Sequence, residues 1–252
     1  NEVKSSPLKH RFIFFINRLF RMRLGRYLNA IVTFSDKDTI HGVRTIKISN
    51  GIDFNSIRVK RRGSSNSKEL RLVGVADIRF WHGFDRVIEG MANYYSKYGI
   101  ENAPVKVTFD IVGDGVREDV DKLRELIKTR RLGSVVKLLG NNSGEDLSNI
   151  FDNSDFGIAS LGRHRSGITK IRTLKNREYA ARGIPFIYSE TDEDFDHMPY
   201  VMKAKADDSP VNIEDLIEFY QSLESTPEQI RGSIENTLSW RVQMQKVIDA
   251  VL

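Results

Sequence analysis

The alternation of apolar and polar positions is most regular from Leu70 onward, where short apolar runs alternate with longer segments of helical periodicity. The short runs are typical of buried strands, and the longer segments repeat apolar residues every third or fourth position, as amphipathic helices do. The predicted strands span residues 70–76, 105–112, 135–139, 156–160 and 184–188, and a further strand begins at 201. The predicted helices span residues 82–98, 116–132, 145–153, 174–182, 213–223 and 227–252.

This order of elements predicts the fold class. Strands separated by helices of such lengths are joined by right-handed crossovers, which make the strands of the sheet parallel. Residues 63–252 are therefore predicted to form an α/β domain with a doubly wound parallel sheet and flanking helices. Because sheets of this kind bind ligands at the carboxyl ends of their strands, the segments that follow each strand are where functional residues are expected.

The first 62 residues have a different pattern and are predicted to form a separate region. Residues 8–28 predict a basic amphipathic helix, with Phe12, Phe15 and Leu19 at helical spacing. Short apolar strands are predicted at 30–34 and 45–49, and the polar, basic segment 58–68 is predicted to be a linker or a long hairpin loop.

Charge and composition narrow the function classes. The net charge of the 252 residues is +5, yet the first 26 residues alone hold seven basic side chains against one acidic one. The rest of the chain is about neutral, so no nucleic-acid partner is expected. The absence of cysteine excludes disulfides, thiolate metal sites and cysteine nucleophiles. No apolar run reaches the ~20 residues of a membrane span, and a cytoplasmic protein is expected.

The richest segment chemically follows the strand predicted at 156–160. Residues 161–175 hold five lysines and arginines and no acid, and a helix begins at once. A helix N-terminus offers free N–H groups and partial positive charge, so basic side chains beside it would suit a diphosphate. The alternative is a solvated basic loop. The candidate ligands are Arg163, His164, Arg165, Gly167 and Lys175.

Glu178 lies three residues after Lys175, so the two side chains can share one face of the helix. One interpretation is a surface ion pair between them. The other is that both face a ligand, with Lys175 on a phosphate and Glu178 on the diol of a ribose.

Two further strand ends carry candidate residues. Gly113-Asp114-Gly115 favours a tight turn over a ligand contact, because the third glycine of a dinucleotide fingerprint is missing. His82 and Gly83 stand where a helix begins, and His82 is equally suited to donating to a phosphate or capping that helix.

Metal binding is not expected from the sequence. The five histidines show no metal-ligand spacing. The acidic run 192–196 is interpreted as the polar first turn of a helix rather than as a cation site.

Five segments, in this order, resemble the retaining glycosyltransferases of family 4, which have the GT-B fold of two Rossmann-like domains. Residues 48–53 (ISNGID) resemble the segment that leads out of the first domain. The four second-domain matches are residues 80–86 (FWHGFDR), 111–115 (IVGDG), 136–140 (VKLLG) followed by 145–147, and 174–185 (LKNREYAARGIP). In addition, residues 240–252 resemble the C-terminal helix that returns to the first domain.

The resemblance implies that the chain is the Rossmann-like, nucleotide-sugar-binding half of a GT-B fold. It implies Glu178 on the ribose, Lys175 and residues 163–167 near the diphosphate or sugar, and the Gly113–Gly115 turn near the base. Glu178 and Lys175 would be the catalytic residues. The implied reaction moves a sugar from a UDP- or GDP-sugar to a glycan or lipid-linked acceptor with retention. It needs no metal and no other cofactor, because basic side chains stabilise the leaving diphosphate.

The sequence departs from the family pattern in three places. Lys170 stands eight residues before Glu178, where the family has another glutamate, and Asp77 and His82 stand where the family has basic residues. Residues 1–53 resemble only the tail of the first domain, which in the family holds the acceptor site and a catalytic histidine. The isolated chain is therefore expected to bind the donor without turnover.

The sequence is also compatible with two other functions. A nucleotide-sugar epimerase shares the GT-B architecture. In a non-enzymatic alternative, the helix predicted at 8–28 binds a partner or binds the anionic inner face of the membrane peripherally. Against that alternative, Phe12, Phe15 and Leu19 would pack into the remainder of the first domain.

Overall fold

The computed structural model describes residues 8–61 and 68–252. Two compact units divide the chain: Asn1–Gly51 with Thr237–Leu252 form the first, and Ile52–Asn236 form the second. The boundary predicted at 62/63 therefore falls inside the second unit, and the last helix belongs to the first unit rather than to the sheet domain. The predicted loop at 58–68 lies partly outside the described residues.

The first unit contains a long helix and a small sheet. Helix α1 spans Leu8–Leu24 and continues as a 3-10 turn at Gly25–Tyr27. The strands are β1 (Ile31–Thr33), β2 (Thr39–Ile40) and β3 (Val43–Lys47). The central strand β3 pairs in parallel with β1 and antiparallel with β2. The short strand β2 was not predicted, because two residues carry no periodicity.

The described side chains of α1 are largely exposed. Phe12, Phe14, Phe15 and Phe20 each leave half or more of their surface in solvent. The side chain of Leu19, the third predicted member of the apolar face, lies outside the described part of the structure. No helix within the described residues is both long enough and apolar enough to cross a lipid bilayer.

The second unit is built on a six-stranded sheet in which every neighbouring pair is parallel. The strands are β4 (Glu69–Val75), β5 (Lys106–Val112), β6 (Val136–Gly140), β7 (Phe156–Ile158), β8 (Phe186–Tyr188) and β9 (Val201–Lys203). Their order in the sheet is β6-β5-β4-β7-β8-β9, and the sheet is flanked by helices, which confirms the predicted fold class.

Amphipathic helices cover this sheet because their apolar faces are buried against it; Val87, Ile88 and Met91, for example, have no exposed surface. The helix predicted at 227–252 is in fact two helices. Ser239 adopts an extended backbone between them and caps the second through a bond from Val242 N. The helices are α2 (Phe84–Tyr98), α3 (Arg117–Thr129), α4 (Gly144–Asp152), α5 (Leu174–Arg182), α6 (Ile213–Gln221), α7 (Pro227–Leu238) and α8 (Trp240–Val251).

The strand order reverses between β4 and β7. From β4 the chain builds outward through β5 and β6, and from β7 it builds the opposite way through β8 and β9. Such a topological switch point opens a crevice at the carboxyl ends of the two central strands, where doubly wound sheets bind their ligands. The segments that follow β4 and β7 therefore line the expected site.

Candidate functional site

The loops after β4 and β7 are in direct contact at the switch point. Leu161 N donates to the His82 carbonyl oxygen at 3.0 Å. Gly83 has a φ of 68°, and a Cβ there would lie 2.7 Å from the Leu161 carbonyl carbon. Only glycine fits both the left-handed backbone and this close approach. Gly83, and not His82, occupies the N-cap position of the helix that begins at Phe84, so capping, one of the two roles considered for His82, is wrong.

The Gly113–Gly115 turn holds the loop after β5 against the loop after β4. A Cβ on Gly113, whose φ is 120°, would lie 1.8 Å from the Ala76 carbonyl oxygen, and one on Gly115 would lie 2.1 Å from that of Ile78. The glycines thus form the favoured tight turn. They also line an open cleft of about 490 Å³ at the carboxyl ends of β4, β5 and β6. Its other lining residues include Asp77, Arg79, Val116, Asn141 and Asn142.

Alanine at Gly113 or Gly115 is expected to lower the free energy of unfolding by about 2–4 kcal/mol, from overpacking and, at Gly113, backbone strain. Gly133→Ala is the matched control, because its Cβ would meet no atom within 4 Å. Urea denaturation of the three variants measures the difference. Equal stabilities for Gly113→Ala and Gly133→Ala would contradict the close packing of the two loops.

The basic loop after β7 is largely neutralised by carboxylates from elsewhere in the chain. Arg165 donates to both oxygens of Asp85 at 2.9 and 2.7 Å and to Asp208 at 2.7 Å. The ring nitrogens of His164 lie 3.3 Å from Glu190 and 3.2 Å from Asp208. Arg165 and His164 therefore fix the 3-10 turn Arg163–Ser166, which ends at Gly167 with a φ of 67°.

The next two cations of the segment are also paired. Lys170 Nζ lies 2.9 Å from a Glu193 oxygen, and Arg172 lies 3.3 Å from the other oxygen of the same carboxylate. The predicted diphosphate loop therefore contains fewer available charges than its sequence suggests.

Arg163 and Lys175 are the exceptions in this segment, since neither forms an ion pair with a carboxylate of residues 8–61 or 68–252. The Arg163 guanidinium lies over the Trp81 ring at 5.4 Å, and its buried Nε has no hydrogen-bond partner in the described chain. Burial and the charge of Arg163 lower the pKa of Lys175 to about 7. Two half-buried, mutually repelling cations thus lie together at the switch point.

Lys175 contacts uncharged groups instead. Its Nζ lies 2.9 Å from Nδ1 of His82 and 5.3 Å from the centre of the Phe84 ring. The other imidazole nitrogen, Nε2, lies 2.9 Å from the Asp77 carbonyl oxygen. A carbonyl can only accept, so Nε2 carries the proton and Nδ1 accepts from Lys175. With both ring nitrogens engaged, His82 has no donor left for a phosphate.

Glu178 forms no ion pair with Lys175, so the first of the two interpretations, a surface pair between them, is wrong. Its Oε1 accepts from Arg182 Nε at 3.1 Å and Nη2 at 2.9 Å, while Oε2 accepts no hydrogen bond from the described residues. Arg182 in turn lies over the Phe151 ring at 4.1 Å. One carboxylate oxygen is therefore fixed, and the other remains available on a side chain that is 30% exposed.

The acidic run 192–196 is a turn and not the start of a helix, because Asp192 points inward. Asp192 accepts from Arg177 Nη1 at 3.1 Å and from Asn176 at 2.9 Å, and both members of the Arg177–Asp192 pair have fully buried side chains. Asp194 is also paired with Arg177. In the described chain, no group of three histidine, aspartate or glutamate side chains could hold a metal ion.

Sequence reasoning missed part of the site. Asn141 and Asn142 could have been found by applying the strand-end rule to β6, since they follow its last residue directly. Asp85 and Asp208, which neutralise Arg165, have no sequence signal, because they lie 80 and 43 residues from it.

No protein-family model and no curated protein matches this sequence. Among solved structures, a glycosyltransferase of Rickettsia africae matches with a TM-score of 0.66 and 16% identity, covering 90% of this chain and 66% of that one. Anabaena HepE in complex with UDP and glucose matches with a TM-score of 0.65 and 15% identity, over 94% and 66% of the two chains. The pneumococcal O-GlcNAc transferase GtfA, in complex with UDP and GlcNAc, matches at 0.59 and 17%, over 92% and 47%.

These structural neighbours are GT-B glycosyltransferases. At such low identity the similarity shows the fold alone: the second unit has the Rossmann-like architecture of a GT-B half. The chain spans 66% of the length of the first two neighbours.

Proposed function

We propose that the second unit binds the diphosphate of a nucleotide-sugar and that the protein is a glycosyltransferase. One observation carries this proposal: Lys175 and Arg163 lie together at the topological switch point without a carboxylate partner in the described chain, beside the first turn of α5. Burying two like charges costs free energy, and a bound dianion would recover it. The same charges would stabilise the diphosphate as it leaves the sugar.

The remaining parts of the crevice take roles consistent with their geometry. Oε2 of Glu178 accepts a ribose hydroxyl, and the cleft of about 490 Å³ at Gly113–Gly115 takes the base. Arg165 and His164 support the loop that carries Arg163, and Gly83 and Gly167 shape it. Because two cations already supply positive charge, we propose that no metal is required, and binding in EDTA is expected to be unchanged.

The donor is a UDP- or GDP-sugar, and the acceptor is a glycan or lipid-linked sugar that is glycosylated with retention. The fold similarity to enzymes in complex with UDP supports a nucleotide-sugar donor. We expect donor binding without transfer by this chain alone, because it spans 66% of the length of its first two structural neighbours. Isomerisation of the sugar with no acceptor present would instead indicate an epimerase.

Calorimetric titration with UDP, GDP and ADP tests the proposal. One of the three is expected to bind at a single site, and inorganic pyrophosphate is expected to compete with it because both occupy the same two cations. If none of the three binds, the proposed function is wrong.

Glu178→Gln is expected to weaken UDP binding about tenfold, the effect of losing roughly 1.4 kcal/mol from a hydrogen bond to a charged group. The affinity for inorganic pyrophosphate, which has no ribose, is expected to stay the same. Competition titrations with the two ligands measure both constants. Glu118→Gln is the control, since Glu118 also pairs with a cation four residues away, Lys122. Equal loss for UDP and pyrophosphate would contradict a ribose contact.

A second proposal concerns α1, which would lie on an anionic membrane surface. Binding of this kind combines burial of apolar side chains with attraction of basic side chains to anionic lipids. The exposed phenylalanines of α1 supply the first, and Arg21 and Arg23 of its last turn supply the second. Binding to vesicles rich in phosphatidylglycerol is expected to fall when both arginines are replaced by glutamate and when salt is raised. The control is the double variant Arg117→Glu and Lys122→Glu, which changes two exposed side chains of α3. Equal binding to phosphatidylcholine vesicles would contradict the proposal.

A further inference from the structure

His82 is 6% exposed and belongs to the loop after β4, and its side chain contacts Lys175 in the first turn of α5. Its imidazole ring stacks on Phe84 with ring centroids 5.7 Å apart and planes 24° apart, which fixes its orientation. The hydrogen bond from Nε2 to the Asp77 carbonyl oxygen fixes its tautomer. The ring therefore presents an unprotonated Nδ1 toward Lys175 at 2.9 Å.

Burial and the positive charges around this ring keep it neutral. Burial, Lys175 and Arg163 lower the pKa of His82 to about 3, and Arg79 acts in the same direction. The carboxylate of Asp77 pairs with Arg79 at 2.9 Å. His82 is therefore an uncharged acceptor throughout the pH range in which a nucleotide would bind.

An uncharged acceptor does something that a carboxylate could not. A carboxylate at 2.9 Å would hold Lys175 but would also neutralise it, as Glu193 does for Lys170. His82 and the Phe84 ring hold the ammonium through one hydrogen bond and one ring face, and neither brings a negative charge that would compensate it.

We infer that His82 is a positioning residue: its Nδ1 holds the Lys175 ammonium at the switch point without neutralising it. This inference rests on the proposed diphosphate site, which it deepens. His82 acts through Lys175 and does not itself touch the nucleotide.

Two amide substitutions separate this role from a purely structural one. The asparagine side chain places an acceptor near the position of Nδ1, and the glutamine side chain places a donor near that of Nε2. His82→Gln is therefore expected to keep the bond to Asp77 and to lower the affinity for UDP and for inorganic pyrophosphate about tenfold. His82→Asn is expected to stay within about twofold of the unchanged protein. The reverse order, with loss in the asparagine variant only, would overturn the inference.

A third variant tests the importance of neutrality. His82→Asp retains an acceptor but adds a carboxylate, so UDP affinity is expected to fall although Lys175 is still held. If His82→Asp binds UDP as tightly as His82→Asn does, the neutrality of the acceptor has no role, and the inference is overturned.

The pKa of the Lys175 ammonium gives a measurement that needs no nucleotide. Followed by NMR of 13C-labelled lysine, it is expected to fall in His82→Gln, which removes the acceptor, and to rise in His82→Asp. Values unchanged in both variants would overturn the inference even if UDP binds well. This measurement also distinguishes the two proposals. If only the proposed function is wrong, the unchanged protein binds no nucleotide, but the pKa of Lys175 still changes when His82 is replaced.

Discussion

Lys175→Ala is expected to weaken UDP binding by about 10- to 100-fold, the largest loss of affinity for any single substitution in the crevice. A hydrogen bond between an ammonium and a phosphate contributes about 1.5–3 kcal/mol in a protein. That range applies here because Lys175 is half-buried and no carboxylate of the described chain competes for it. Inorganic pyrophosphate is expected to lose affinity by the same factor, since the contact is with the diphosphate.

Lys97→Ala is the matched control for this variant. It removes the same charge, but at a position away from the crevice. Lys97 pairs with Glu214 near the C-terminal end of α2. A helix that follows a strand of a parallel sheet runs back toward the amino ends of the strands, whereas the crevice lies at their carboxyl ends. Calorimetry on both variants separates a local contact from a long-range effect of net charge. Equal affinities for Lys175→Ala and the unchanged protein would contradict the site assignment.

The pH profile of binding is expected to depend on the same residue. With the pKa of Lys175 held at about 7, the free protein loses the ammonium above that pH. UDP favours the ammonium, so affinity is expected to fall as pH rises above 7, by at most about tenfold per unit. Lys175→Ala is expected to abolish this dependence. A flat profile for the unchanged protein between pH 7 and 9 would contradict it.

Folding responds to the same titration with the opposite sign. Between pH 7 and the ordinary lysine value of 10.5, the unfolded chain binds the proton while the folded protein has released it. Lys175 therefore makes the folded protein more stable as pH rises through this range. The titration of Lys175 therefore favours UDP binding at low pH and the stability of the unliganded protein at high pH.

Arg177→Met is expected to cost about 3–5 kcal/mol of unfolding free energy, the largest stability effect in the chain, because it leaves Asp192 charged and buried without its partner. Burial already raises the pKa of Asp192 despite the nearby arginine. Arg177 also donates to the Thr173 carbonyl oxygen at 2.9 Å, so it connects the start of α5, and with it Lys175, to the turn at 192–194.

Chemical denaturation of three proteins tests this expectation. The double variant Arg177→Met and Asp192→Leu is expected to regain part of the loss, because it removes both buried charges. Lys122→Met is the surface control; its pair with Glu118 is exposed, and such pairs contribute about 0–1 kcal/mol. A loss of less than 1 kcal/mol for Arg177→Met would contradict a buried ion pair as the support of α5.

The fold could be predicted wherever a buried face imposes a period. Helix α5 begins and ends at the predicted residues, and the strands agree within a few residues at each end. Local periodicity failed at Ser239, where apolar spacing continues across the break and only the serine cap separates α7 from α8. It also failed at the acidic run 192–196, because an inward-facing aspartate has the same sequence appearance as an exposed one.

The place of the site could be predicted, but not its electrostatics. The loop that carries Arg163 could be predicted because it follows the carboxyl end of a strand, where such sheets bind their ligands. The sequence does not show which of the five basic residues of this segment form ion pairs with acids that are distant in the chain. Asp85 and Asp208 neutralise Arg165, and only the tertiary structure brings them there. The Lys175–Glu178 spacing was also ambiguous, because Arg182 lies four residues after Glu178, the better orientation for an acid followed by a base.

Hydrogen–deuterium exchange with and without UDP tests most directly whether the switch-point crevice is the nucleotide site. Slower exchange is expected at the amides of residues 76–83, 113–116 and 161–176, which follow β4, β5 and β7. No slowing is expected around the cleft of about 510 Å³ lined by Lys60, Leu70 and Leu223, which lies at the amino ends of the strands. Protection confined to that cleft, or to no part of the second unit, would contradict the central claim.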